Sequence, residues 1–375
     1  MTISEDDPIH TTPVFKKGQP DDTYKYLPLP RPTGAYPYHL EISKVIPGIR
    51  RDKMTFQMVG DTGSMRNPDF LKLVSRQMLS QFDDVDEYGD KPEFLYHLGD
   101  IVYNHGEAHE YQRQFFDPFN GYPAPVFAIP GNHDSDVNPL SKVPYNSLDT
   151  FVRVFCSETP SEVEFSGGNS RKSMVQPNVY WTMETPLANF IGLASNVPKF
   201  GVVTPEQRSW FIKELEWAKS EHPDKALFVC IHHSPYSGDI NHGSSMPMIE
   251  MLESAYVEAG VRPHAVFSGH VHNYQHFEKH YPDGDVVNYI VAGGGGYDEL
   301  HPIARKDDPY FTAALPEFEG VRLVNYCDDR HGFLKVHLER TESGLLLSGG
   351  YFAVRAKNGT EAPKEPEDSF EIRIN

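Results

Sequence analysis

Cysteine is scarce in this chain. Its three copies, Cys156, Cys230 and Cys327, are scattered and odd in number. They form no CxxC pair and no disulfide framework, so neither a cysteine-ligated zinc module nor a stapled secreted fold is indicated. Long apolar runs are missing too: no stretch approaches the roughly 20 residues that a membrane helix needs. The acidic start, Met1-Thr2-Ile3-Ser4-Glu5-Asp6-Asp7, has no apolar segment of the kind a secretory leader carries. These absences predict a cytoplasmic protein with no membrane partner. Positive charge is in deficit, with 34 Lys and Arg against 53 Asp and Glu, a net charge of −19. A surface that follows a nucleic-acid backbone needs clustered cations, so nucleic acid is not an expected partner. A small phosphorylated substrate stays compatible, because bound metal ions can reverse a local field.

What is present is a recurring grammar. Short apolar segments, Phe56-Gln57-Met58-Val59, Phe94-Leu95-Tyr96-His97-Leu98, Pro125-Val126-Phe127-Ala128-Ile129, Ala226-Leu227-Phe228-Val229 and Ala265-Val266-Phe267, read as buried strands. An island of metal-binding residue types follows each. The islands are Gly60-Asp61-Thr62-Gly63, Gly99-Asp100-Ile101-Val102-Tyr103, Gly131-Asn132-His133-Asp134, Cys230-Ile231-His232-His233 and Gly269-His270-Val271-His272. Glycine permits the sharp turn that a strand-end loop requires. In layered α/β folds, ligands collect beyond the carboxyl ends of the strands, so these distant islands are expected to meet. Asp, Asp, Tyr, Asn and three His supply seven oxygen and nitrogen donors, a set suited to two metal ions sharing a bridging carboxylate.

The remaining organisation is simpler. Residues 1–50, rich in Pro and charge, read as an extended arm lying on a single domain that spans 51–375. Helices are predicted over 69–82 and 248–259, and from Thr204-Pro205-Glu206-Gln207, where Thr is an N-cap, Pro fits the first turn and Gln207 closes a capping box. Alternating segments in 301–375 are expected to complete a second sheet. Strands alternating with helices, then a run of strands, predict an α/β fold: a four-layer α/β/β/α sandwich of two mixed sheets flanked by helices.

Taken together, the islands resemble the calcineurin-like metallophosphoesterase superfamily over roughly residues 54 to 300. Two details are similar to its purple acid phosphatase branch: Asp61-Thr62-Gly63 stands where many relatives have Asp-x-His, and Tyr103 follows Asp100 by three. The absence of an evident separate N-terminal β-sandwich makes the chain resemble compact bacterial members. The resemblance implies that Asp61, Tyr103 and His272 hold one metal, that Asn132, His233 and His270 hold a second, and that Asp100 bridges them. A phenolate at Tyr103 implies iron(III) in the first position, with zinc, iron(II) or manganese(II) in the second. At the fourth island, a Val229-x-x-His reading selects His232. His233 is followed by Ser234-Pro235, as the family ligand usually is, and is the expected choice. His133 and His242 would face substrate, binding phosphate oxygens or protonating the leaving group, and Asp134 would orient His133. The implied reaction is hydrolysis of phosphate monoesters by in-line attack of a metal-bridging hydroxide. The alternative is a phosphodiesterase acting on cyclic nucleotides or lipid-type diesters.

Other residues carry less. His97 reads as a half-buried strand residue, and His105, Glu107 and His109 as a solvated loop. The acidic run from Asp83 to Asp90 resembles the start of a calcium loop, but counting from Asp84 its twelfth position is Leu95 rather than Glu. Gly293 to Gly296 has no following Gly-Lys-Ser/Thr and reads as a close backbone turn beneath the metal loops. Nothing in the sequence specifies an oligomeric state.

Overall fold

Phe94–His97, Val126–Ala128 and Ala226–Ile231 are buried along their whole lengths, without alternation. That pattern belongs to strands covered on both faces, and it follows from where they lie. In the computed structural model, which describes residues 7–83, 91–354 and 365–374, two sheets face each other. One runs in the order Asp368–Ile374, Gly344–Ala353, Gly332–Thr341, Lys53–Val59, Phe94–His97, Val126–Ala128. The other runs Val321–Cys327, Tyr274–His280, Val286–Ala292, Ala265–Ser268, Ala226–Ile231, Ala188–Leu193, Trp181–Glu184, His39–Glu41. Both sheets are mixed: Lys53–Val59, Phe94–His97 and Val126–Ala128 run parallel at one edge of the first, and Val286–Ala292, Ala265–Ser268, Ala226–Ile231 and Ala188–Leu193 run parallel in the middle of the second.

Aromatic rings fill the space between the sheets. Phe56 and Phe94 stack at 5.1 Å, and each meets the Phe190 ring of the other sheet edge-on, at 5.3 and 5.9 Å. Such pairs add about 0.5–1.5 kcal/mol each beyond their buried area. The opposite side chains of the same strands, Val59, Leu95, Val229 and Ile231, pack with Leu71, Val74, Phe211 and Leu252 of the helices Asp69–Ser80, Pro205–Glu221 and Met246–Ala259. The expected α/β class, two mixed sheets flanked by helices, is the architecture found. No helix among the described residues is long and apolar enough to cross a membrane.

Three local readings change. The Thr204 hydroxyl does accept the Gln207 N–H at 3.1 Å, but the Gln207 side chain turns inward to the Ala194 backbone, so the capping box stays half formed. The last three strands, Gly332–Thr341, Gly344–Ala353 and Asp368–Ile374, join the sheet of Lys53–Val59, while Val321–Cys327 joins the opposite one. Register explains this: Leu334, Val336 and Leu338 pair with Met58, Phe56 and Met54, which places all six in the core between the sheets. The N-terminal segment also enters the sheets, through His39–Glu41, which pairs in parallel with Trp181–Glu184. His39 is clamped between Glu214 at 2.7 Å and Glu184 at 3.0 Å. Burial disfavours its charge, yet these two carboxylates outweigh burial and push its pKa up to about 9. The acidic run 84–90 and the acidic start 1–6 lie outside the described residues.

Candidate metal centre

The islands meet because the parallel strands all deliver them to one end of the two-sheet stack. Backbone bonds then tie loop to loop: Asp61 N–H to Gly99 O at 2.9 Å, Gly60 N–H to Ala292 O at 2.8 Å, Gly269 N–H to His232 O at 3.0 Å. The glycine run 293–296 passes directly beneath. A Cβ at Gly293 would lie 2.1 Å from the Val271 carbonyl and 2.9 Å from the Asp61 carboxylate, so only glycine fits. Asp61, Asp100 and His270 take φ values of 56°, 53° and 67°. Left-handed conformations in non-glycine residues cost about 1–3 kcal/mol each and concentrate at functional sites.

Donor atoms from these loops fall into two sets that share one oxygen. In the first, Tyr103 Oη lies 2.8 Å from Asp100 Oδ2, 3.3 Å from Asp61 Oδ1 and 3.3 Å from His272 Nε2. In the second, Asn132 Oδ1 lies 3.0 Å from His270 Nδ1 and 3.1 Å from His232 Nε2, which is itself 3.4 Å from Asp100 Oδ2. Both carboxylates, the phenol and all three rings are buried, and Asn132 is half-buried.

Whether these residues suit metal ions can be decided from the tautomers. His232 Nδ1 faces the Leu98 carbonyl at 2.9 Å, and His272 Nδ1 faces the Glu299 carbonyl at 3.2 Å. A carbonyl only accepts, so Nδ1 carries the proton in each neutral ring and Nε2 presents a lone pair. His232 Nε2 points at the Asp100 and Asn132 oxygens, and His272 Nε2 at a phenol whose single proton three acceptors share. A buried site with more acceptors than protons suits a cation, and a carbonyl behind the ring is the usual support of a metal-binding histidine. Charge gives the same answer. Burial pushes the Asp61 carboxyl well above its usual range, with the Asp100 charge adding to it; Asp100 in turn draws the pKa of His232 up to about 9 against burial.

His233 is elsewhere. Its Nδ1 meets the Ser195 hydroxyl at 2.7 Å, its Nε2 is buried without a partner, and its ring packs 4.3 Å from that of His270. Strand parity explains the exchange: Ala226, Phe228 and Cys230 face the space between the sheets, while Leu227, Val229 and Ile231 face the helices. His232 continues the inner series. The alternation itself can be read in the sequence; which of its two phases faces the site is set by the partners on each face of the strand.

His133 packs its ring 4.3 Å from Tyr103, with Nδ1 on the Asn104 carbonyl at 2.8 Å. Asp134 does not touch that ring. It accepts the backbone N–H groups of Gly131, Ile101 and Val102 at 2.9, 3.1 and 3.2 Å, anchoring the second loop to the third. His242 lies 4.2 Å from the His270 ring. Two residues that sequence reasoning passed over accompany it. Asp239, fully buried, reaches His242 Nδ1 at 3.4 Å and His301 Nδ1 at 3.3 Å, and the His301 ring stacks 4.2 Å from His272. His97 is fully buried rather than half-buried, with Nε2 on the Thr62 hydroxyl at 2.8 Å. His133, His242, His270, His272 and His301 all line one cavity of about 600 Å³ that opens above the donor sets; His105, Glu107 and His109 lie away from it.

A family model described as calcineurin-like phosphoesterase matches residues 54–274, a span that contains every donor above. Among solved structures, the chain is similar to GAP50, described as the anchor in the inner membrane complex of Plasmodium. The TM-score is 0.55 at 14% identity, over 86% of this chain and 90% of that one. It is also similar to PhoD, with a TM-score of 0.48 at 13% identity, over 92% of this chain and 72% of that one. At such identities the likeness is one of fold. No curated protein matches the sequence.

Proposed function

From the premise that this chain belongs to the calcineurin-like phosphoesterase family, whose chemistry is phosphoester hydrolysis, we propose that it is a phosphohydrolase of phosphate monoesters working with two metal ions. The observation that carries this reading is the pair of donor sets meeting at Asp100 Oδ2, with two histidine lone pairs turned on acceptor oxygens. Asp61, Tyr103 and His272 would hold one ion, Asn132, His232 and His270 the other, and Asp100 both. Bound there, the ions supply Lewis-acid neutralisation of the phosphoryl charge and lower the pKa of water.

The chain's own groups do the rest. His133 and His242 stand on the cavity wall, where they would donate to phosphoryl oxygens or to the leaving group. Asp239, behind His242, holds that ring toward the cavity; burial keeps the ring's pKa below its usual value, against the pull of that carboxylate. Tyr103, beside two carboxylates, suits a hard trivalent ion such as iron(III); the Asn132 and histidine set suits zinc, iron(II) or manganese(II). Protein loaded aerobically with iron is expected to show visible absorption from tyrosinate bound to the ion. Tyr103→Phe should abolish it, and an unchanged spectrum in that variant would remove the iron(III) assignment.

Preference for monoesters is supported by Gly63 and Tyr103, which stand where diesterase-like relatives are expected to carry a histidine and lack the tyrosine. The test is hydrolysis of a matched aryl phosphate monoester and diester by the metal-loaded protein. Faster cleavage of the monoester is expected. Faster cleavage of the diester would replace this reading with a phosphodiesterase on the same core.

A further inference from the structure

The cavity above the donor sets has one wall built by the N-terminal segment. Val14 exchanges backbone bonds with the 237–244 loop, accepting from Ser244 at 2.8 Å and donating to Ser237 at 2.9 Å. Phe15–Lys16 pairs with Phe311–Thr312. This stitching aims Lys16 at the loop that carries His242. Its ammonium donates to the carbonyls of Ile240 at 2.9 Å and Asn241 at 3.0 Å. Lys199 reaches the same Asn241 carbonyl from the other side, at 3.3 Å.

Two ammonium groups thus share one neutral acceptor, and among the described residues neither forms an ion pair with a carboxylate. The arrangement is unusual for a chain of net charge −19. Lys25, on the same wall, is different: Asp22 neutralises it at 3.1 Å. Both Lys16 and Lys199 are half-buried, and like charges held together out of water are unfavourable. Burial, then the Lys16 charge, holds the Lys199 ammonium below its usual pKa. An ammonium has three donors, so each lysine keeps at least one beyond the carbonyls it already serves. Both side chains line the cavity, as do His242 and Glu299.

We propose that Lys16 and Lys199 form a second anion subsite at the mouth of the cavity. It takes a phosphate group that the substrate carries away from the scissile one, so the preferred substrates are small bisphosphorylated molecules. A dianionic phosphate matches two adjacent cations and supplies the counter-charge that the carbonyls do not. This inference rests on the phosphohydrolase reading above and narrows it to a substrate class.

The test compares kcat/KM for fructose 1,6-bisphosphate and fructose 6-phosphate, used as matched probes with the metal-loaded full chain, and follows an aryl phosphate in parallel. Hydrogen bonds to charged groups make a preference for the bisphosphate of at least about tenfold the expected result. The double variant Lys16→Gln with Lys199→Gln keeps an amide donor for the loop carbonyls and removes both charges; it should lose the preference. Lys16→Arg with Lys199→Arg should keep it, which a purely structural role for the lysines does not predict. If the aryl phosphate is cleaved but the wild type shows no preference, or the glutamine variant retains it, the subsite is refuted and the phosphohydrolase reading survives. If no phosphoester is cleaved at all, both fall together.

Discussion

Asp100→Asn is expected to lower turnover of an aryl phosphate by at least about a thousandfold, or ~4 kcal/mol in the barrier. The bound metal should fall from two ions to one or fewer. Asp100 Oδ2 is the only atom common to the two donor sets, while Oδ1 accepts the His133 N–H at 2.9 Å. An asparagine amide has one acceptor oxygen, so it can serve the His133 backbone or the donor sets, not both. It also removes the charge that pairs with His232, an interaction that holds the Asp100 carboxyl below its usual pKa against burial. The apoprotein should therefore fold but melt somewhat lower than the wild type, and thermal melting alongside metal analysis separates loss of function from loss of fold. A variant that keeps two ions and stays within tenfold of wild-type activity would dismantle the proposed centre.

The second large effect concerns adjacent histidines. His232→Ala should remove one ion and at least about two orders of magnitude of activity, because a lone pair supported by the Leu98 carbonyl disappears from between Asn132 and Asp100. His233→Ala should keep both ions. Its loss opens space behind His270 and frees Ser195, a packing change that should cost stability and little catalysis. Metal content of the two purified variants decides the matter. The reverse pattern, with His233→Ala losing the ion, would show that the ring reorients when metal binds and would restore His233 as the ligand.

These two residues also mark where sequence reasoning runs out. The strands were legible because each is a short apolar run, four of the five leading to a glycine, and the islands because their residue types are costly to bury without a purpose. Which of His232 and His233 faces inward depends on the partners of Ala226–Ile231 on each face, which lie far away in the chain. The same limit hid Asp239 and His301. Each looks like an ordinary loop residue until the chain between them, a helix and three strands, folds back to join them, and only side-chain distances reveal that His242 and His301 share the Asp239 Oδ2. Asp134 failed for a different reason: proximity in sequence suggested a bond to His133, whereas its geometry favours three backbone donors from two loops. Alternation identified the C-terminal strands without naming their neighbours, because a period of two encodes faces and not partners.

The order of strands in the first sheet has a bearing on synthesis. Lys53–Val59 is flanked by Phe94–His97 on one side and by Gly332–Thr341 on the other. On the ribosome its second edge has no partner until most of the chain has been made, and one face of the strand carries Met54, Phe56 and Met58. Such an edge is a template for wrong pairing with other chains. The metal loops fare no better early on, since Asp61 waits for the backbone of His270 to hold its carboxylate. A growing chain that carries only its first four islands would therefore lack both the last donors of the proposed centre and a partner for this edge, and Gly332–Thr341 is the segment that closes it.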